Sequence, residues 1–596
     1  MNQNNPSNNI AALYQQALSY YHAGRVQESK VILSNLLESA PDHPDALYLS
    51  GTVAGAARDY NRAVAFFRRA IKNAPCMPHF HKDLGITYKE MGMADKALQS
   101  YQTALSIKPD YTDGHFSMGN LYKAAGRYEL ALECFQRAIT LDPGYLGAYM
   151  NMNAIFEIQA NFARMETNSR EMIRVNPKSL SGYYYLGLSL MELGRLQDSL
   201  NAYAKALTIN PNHSETLNGI GRVFFKTGRI DQSIIYYQKA ILHAPNDYTS
   251  HMNLGHAQLA SAAPRDAVNS YKKASVILPQ KDEPYRCLGE VFQRIGDFES
   301  SVQAFREAIR LEPNNSWVYY RLSEIIKFKE KDDLFSTIEA LLGCKDTRHK
   351  VSDLSNFHFA LGKMYDDIKE YELAFNNYRR ANDYGKPSTA KRFDLNQYIH
   401  TIDTMCEVFS GQFFAERQAW GSNDTTPVFI LGMPRSGTTL LEKQLTEYEG
   451  FQGAGELDGI QVLSARVLSS KEKKSVVEKL LALTEDQVKK MADEYLIYLK
   501  THSTASTFII DKMPHNFQQI WLISLLFPKV KFLHCRRNPM DTCLSNYFTN
   551  FSAEKQPHTY DLIGLGKYYL QYERLMKHWK KIFPDKILDV KYENLL

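Results

Sequence analysis

The chain has 596 residues, of which 44% are hydrophobic and 23% charged, and its formal net charge is +5. That length allows about two to four domains, and that composition belongs to soluble globular protein and excludes a fibrous or wholly disordered chain. The charge is too small and too dispersed to argue for nucleic acid, and no apolar run is long enough to span a bilayer.

The N-terminus, MNQNNPSNN, is polar and lacks the basic-then-apolar pattern of an export signal, so residues 1–9 are expected to be disordered. The cysteines (Cys76, Cys134, Cys287, Cys344, Cys406, Cys535 and Cys543) form no C-x-x-C pair and are odd in number. Free thiols in a reducing, cytoplasmic setting are the expectation.

From Ile10 onward the chain is periodic. Pro41, Pro75, Pro109, Pro143, Pro177, Pro211, Pro245, Pro279 and Pro313 stand 34 residues apart. Glycines share the period (Gly51, Gly85, Gly119, Gly187, Gly221, Gly255, Gly289), as do small residues at Ala63 and Ala70 and their equivalents. The pattern is the tetratricopeptide signature, an all-α solenoid of stacked helix pairs. Small residues let paired helices approach closely, and the proline ends the second helix. The fifth repeat, with Asn153, Met165 and Met172, lacks the small residues, so a bulge is expected there. The tenth, near 316–349, is degenerate, and Gly362, Ala374 and Ala381 restore an eleventh.

The array is therefore placed at 10–388. Its inner, concave face is expected to hold a peptide or partner protein, with a spacer role as the plain alternative. Asn151 and Asn253 alone make no asparagine ladder, and His79 and His81 are read as packing residues. Residues 389–426 are read as a helical linker.

After Pro427 the pattern changes to strands alternating with helices: VFIL (428–431), TFIID (507–511), KFLHC (531–535) and KILDV (586–590) read as strands of an α/β domain with a mainly parallel sheet. IWLISLLF (520–527) reads as a buried helix. The stretch VFILGMPRSGTTLL gives strand, glycine-bracketed turn and helix, which gathers backbone N–H groups into an anion site. Gly432-x4-Gly437 has P-loop spacing, but Thr438 stands where a Walker loop needs lysine. A kinase or NTPase is thereby disfavoured.

PRSGTTL resembles the 5′-phosphosulfate loop of sulfotransferases that use 3′-phosphoadenosine 5′-phosphosulfate (PAPS). The resemblance assigns PAPS contacts to Arg435, Ser436, Gly437, Thr438 and Thr439. Arg537 and Ser545, in RRNPMDTCLS, resemble the element that holds the cofactor's 3′-phosphate, with Asp541 ordering that loop. Together the segments resemble bacterial tetratricopeptide-linked sulfotransferases, a family related to protein-tyrosine sulfotransferases. It implies that 427–596 is a sulfotransferase domain moving a sulfuryl group to an acceptor hydroxyl, protein tyrosine among the options.

The resemblance adds Glu456 as general base and Lys512 at the bridging oxygen, with Arg435 completing the catalytic set. An ion pair with Asp511 is the plain alternative for Lys512. No metal is implied, since HExxH and Cys/His clusters are absent from the sequence. Leu457 and Asp458 stand where tyrosine-sulfating relatives carry an arginine. The chain stops at VKYENLL, where the family usually continues, so the domain is expected to be C-terminally incomplete. The alternative function is a tetratricopeptide interaction scaffold whose sulfotransferase-like domain is inactive.

Overall fold

The computed structural model describes residues 6–344, 349–386, 393–468, 476–501, 507–551 and 556–596. It divides into two compact units, Met1–Gln280 and Lys281–Leu596.

The first unit is a run of helix pairs. Its first helix is Pro6–His22, so residues 1–5 of the stretch expected to be disordered lie outside the described residues. Pairs such as Pro44–Ala56 with Tyr60–Asn73, and Ser214–Lys226 with Ile230–His243, recur with first helices of 13 residues and second helices of 14. Each second helix stops before the periodic proline: Ala40, Ala74 and Lys108 leave helical geometry with ψ of 76°, 77° and 93°. A residue before proline is pushed out of the helical region in this way.

The periodic glycine has a specific partner. A Cβ at Gly85 would lie 2.6 Å from the Tyr101 ring, and one at Gly221 would lie 2.6 Å from Tyr237. The aromatic of the second helix therefore seats against the bare backbone of the first. The fifth repeat changes both partners: Asn153 and Ser169 replace glycine and aromatic, and Asn153 Nδ2 donates to Ser169 Oγ at 3.1 Å. The expected bulge is absent, because this polar pair fills the space. Its helices, Leu146–Ile158 and Phe162–Val175, keep the common lengths of 13 and 14 residues.

Asparagines invisible to the single-register reading also join neighbouring repeats. Asn151 donates to Asn120 and Asn253 to Asn218, both at 3.0 Å. These are separate clusters rather than a ladder. His81 donates a ring N–H to the Pro75 carbonyl at 3.0 Å, which agrees with a packing role.

The second unit opens with further helix pairs. Glu283–Ile295 and Phe298–Leu311 are regular, whereas Ser316–Ile325 and Asp333–Gly343 are short, as the degenerate tenth repeat predicts. Val351–Asp367 and Tyr371–Gly385 restore the pattern, with Tyr378 seated at 2.7 Å from the Gly362 Cβ position. The linking segment contains Leu395–Val408 and Gly411–Ala415 and is packed down: Tyr398 stacks on Tyr568 at 4.6 Å and Phe409 on Trp521 at 5.2 Å.

Among the described residues five parallel strands follow: β1 (Pro427–Gly432), β2 (Phe451–Gly453), β3 (Phe508–Lys512), β4 (Phe532–Arg536) and β5 (Ile587–Lys591). Their order is β2-β3-β1-β4-β5, so β1 is central and hydrogen-bonds to β3 and β4. The short edge strand β2 escapes sequence reading because its three residues carry no periodicity. Both faces of β1 are covered. Phe429 and Leu431 join one core with Ile509 and Phe532, while Ile430 packs on the other face with Ile510, Cys535 and Leu441. That explains its continuous apolar run. The helix Ile520–Leu526 is buried along its whole length. The chain turns left from β1 and right from β3, so the switch point lies at the carboxyl end of β1.

Candidate functional site

The turn after β1 is built from backbone that most residues avoid. Gly432 has φ of 151°, Arg435 a left-handed φ of 68°, and Gly437 a φ of 102° as N-cap of the helix Thr438–Leu445. A non-glycine at left-handed φ costs about 1–3 kcal/mol and persists where its surroundings over-determine it. Here Asn546 Nδ2 donates to the Pro434 carbonyl at 2.8 Å, and Arg537 Nη1 donates to the Arg435 carbonyl at 3.3 Å. The first turn of the helix leaves backbone N–H groups without intrahelical partners, and its N-cap, a glycine, offers no side chain to take them.

A cleft of about 380 Å³ opens on this turn, lined by Arg435, Gly437, Thr438, Thr439, Glu456 and Arg537 among others. The expected residues outside its wall connect to it through these. Arg435 Nε donates to Ser545 Oγ at 3.1 Å, and Lys512 Nζ donates to Glu456 Oε1 at 2.7 Å. Ser436 is buried in the turn, and its Oγ has no hydrogen-bond partner among the described residues.

Lys512 does not pair with Asp511. Its side chain is 7% exposed and reaches Glu456 from the end of β3. Asp511 is buried and accepts from the Tyr495 hydroxyl at 2.6 Å, and burial pushes its carboxyl up to about 7. The loop-ordering part assigned to Asp541 belongs to Asn538 instead. Its side chain caps the helix Pro539–Tyr547, accepting from Met540 N at 2.8 Å and Asp541 N at 3.3 Å. Asn538 stands at the N-cap, where a side-chain oxygen reaches the free backbone N–H groups of the first turn. Leu457 is buried, and Asp458 accepts from the Tyr498 hydroxyl at 3.1 Å.

Several contributing residues carry no sequence signal. Glu442 accepts from Gly455 N at 2.9 Å and so fixes the backbone beside Glu456. His515 lines the cleft as Glu456 does; burial lowers its pKa, and the Glu456 charge opposes that more weakly. A lone histidine three places after a lysine has no diagnostic spacing. Tyr592 lies under the Arg537 guanidinium, 4.7 Å from the ring centroid. Gly437→Ala would put a Cβ 2.6 Å from Tyr592, on top of the φ strain. Such strain costs about 1–3 kcal/mol. For a unit the size of Lys281–Leu596 a thermal melt should fall by about 1.5 °C for each kcal/mol of this strain.

Among the described residues no group of three or more His, Cys, Asp or Glu could hold a metal ion, and no helix is long and apolar enough to cross a membrane.

The model of the sulfotransferase family matches residues 427–596, the β-sheet and its flanking helices. Tetratricopeptide models match 14–78, 85–126, 112–145, 179–245 and 288–315. The chain joins a tetratricopeptide repeat array to a sulfotransferase-family domain. Residues of an uncharacterized protein of Aquifex aeolicus (strain VF5) are 30% identical over 319 positions, 52% of this chain. The chain spans 40% of that relative's length. Among solved structures, a tetratricopeptide repeat protein of Parabacteroides merdae is 14% identical with a TM-score of 0.36, covering 42% of this chain and 98% of its own. Yeast Tom70 is 13% identical with a TM-score of 0.32, covering 64% and 93%.

Proposed function

We propose that the cleft binds PAPS and that the protein transfers its sulfuryl group to an acceptor hydroxyl, with the repeat array holding the acceptor or a partner protein. What supports this reading is one convergence. The strained anion-binding turn, the Arg435–Ser545–Arg537 cluster and the Glu456–Lys512 pair all meet at one cleft. PAPS supplies an activated sulfuryl group on a phosphate leaving group.

Thr438 and Thr439, the turn amides and Arg435 hold oxyanions at the helix N-terminus. The partnerless Ser436 hydroxyl fits the same demand. Arg537 and Ser545 hold the 3′-phosphate. Lys512, nearly buried, stabilises charge growing on the leaving oxygen, and Glu456 takes the acceptor's proton. For both to act, their ion pair opens as substrates enter. His515, kept neutral by burial, lies on the same wall and can hydrogen-bond the acceptor oxygen.

The test is incubation with labelled PAPS and a panel of tyrosine peptides, glycans and phenols, read by mass spectrometry. A labelled product that Glu456 variants fail to form is expected. A scaffold with an inactive domain would bind adenosine 3′,5′-bisphosphate and yield no product from any acceptor.

A further inference from the structure

Within the second unit the helix Pro539–Tyr547, which carries Ser545, has only nine residues. So short a helix is marginal by itself, and its partners decide where it lies. Two of them belong to its own domain: the Asn538 cap, and the Pro434 carbonyl, which accepts from Asn546 Nδ2 at 2.8 Å. The last turn is held by the repeats. In a continuing helix the N–H groups of Asn550 and Phe551 would reach the Tyr547 carbonyl. Asn550 N donates instead to the Tyr320 hydroxyl at 3.3 Å, and Phe551 N to the Thr549 carbonyl at 2.9 Å. The Tyr547 carbonyl accepts from Asn382 Nδ2, on the helix Tyr371–Gly385, at 2.8 Å. Both residues are buried, so without Asn382 no water stands ready to replace the lost donor. Around this bond Tyr378 stacks on Phe548 at 4.1 Å, with ring planes 13° apart, and Asn550 Nδ2 donates to Asn356 Oδ1 at 2.7 Å.

We infer that Asn382 is a positioning residue for the nucleotide's 3′-phosphate: by capping the last turn of this helix from the eleventh repeat, it sets where Ser545 stands relative to Arg537. This rests on the PAPS reading above. Ser545 lies two residues before Tyr547, within the turn that Asn382 holds, and its Oγ accepts from Arg435 Nε at 3.1 Å. The repeats come close to that cluster: Tyr320 and Asp366 line one cavity with Arg435, Arg537 and Ser545. Asn382 itself lines neither this cavity nor the cleft, so it acts through the Tyr547 carbonyl alone. The last repeats are thereby part of the nucleotide site as well as of the array.

The contact with the domain is separable from the repeat's own fold. Asn382 Nδ2 also donates to the Tyr378 carbonyl, four places back in its own helix, at 2.9 Å. A serine at this position makes that local bond. Its side chain is one bond shorter and does not reach Tyr547. Asn382→Ser therefore removes the link to the Ser545 helix and keeps the link within the repeat. The anion-binding turn at 437–439, which takes the 5′ end, is left as it is.

The experiment is calorimetric titration of the whole protein with adenosine 3′,5′-bisphosphate and with adenosine 5′-phosphate, which lacks the 3′-phosphate. The wild type should prefer the bisphosphate. Asn382→Ser should weaken the bisphosphate about tenfold, equivalent to about 1.4 kcal/mol, and leave the 5′-phosphate unchanged. In steady state the same variant should raise the KM for PAPS and keep its kcat. A purely structural link would lower the melting temperature without singling out the ligand that carries a 3′-phosphate. Equal loss for both ligands, or unaltered bisphosphate affinity, would overturn the inference and leave the PAPS reading standing. A fall in kcat with nucleotide affinity untouched would overturn it too. A wild type indifferent to the 3′-phosphate, or one that binds neither ligand, would overturn both.

Discussion

Replacing Lys512 by alanine should lower turnover by about two to three orders of magnitude, the usual cost of removing one preorganised group that stabilises developing charge. The expectation rests on placement. The ammonium ends β3 beside the central strand, is 7% exposed and has its Glu456 partner at 2.7 Å. In so dry a setting a positive charge acts on a leaving oxygen far more strongly than it would in water. Adenosine 3′,5′-bisphosphate should still bind, because Arg435, Arg537 and the turn amides remain. Steady-state turnover with labelled PAPS, paired with a binding titration, separates the two effects. Turnover within tenfold of wild type would remove Lys512 from the chemistry.

Glu456→Gln should cost about two to four orders of magnitude in turnover, the range for a positioned general base. The amide oxygen can still accept from Lys512, so the local geometry is kept while the capacity to take a proton is lost. Bisphosphate affinity and acceptor KM should stay near wild type. If Glu456 serves only to hold Lys512 in place, the glutamine variant will retain most of its turnover. The double variant should fall short of the summed single effects, since the two side chains are in direct contact.

What the sequence reveals of the fold is what repeats or alternates. The 34-residue lattice locates the helix pairs because one packing problem, an aromatic against a glycine, recurs in nearly every repeat. Where Asn153 and Ser169 change both partners at once, single positions read as a fault although the pair restores the fit. The turn from Gly432 to Thr439 is legible because its glycines and hydroxyls answer local backbone needs. Contacts between distant segments are not legible. Nothing near Lys512 points to Glu456, 56 positions away in sequence, and nothing in the repeats marks Tyr320 or Asp366 as neighbours of Arg537. Those pairings arise from strand order and from packing of the last repeats on the sheet unit. Asp541 was the natural loop-ordering candidate by charge, yet cap geometry gives that task to Asn538.

The measurement that bears most directly on the cleft is calorimetric titration of wild type and Arg537→Ala with adenosine 3′,5′-bisphosphate and, separately, with magnesium-ATP. The wild type should bind the bisphosphate more tightly than magnesium-ATP. Arg537→Ala should weaken the bisphosphate by about ten- to a hundredfold, as loss of one charged hydrogen bond of roughly 1.5–3 kcal/mol requires. Tighter binding of magnesium-ATP, or bisphosphate affinity indifferent to the loss of Arg537, would contradict the account.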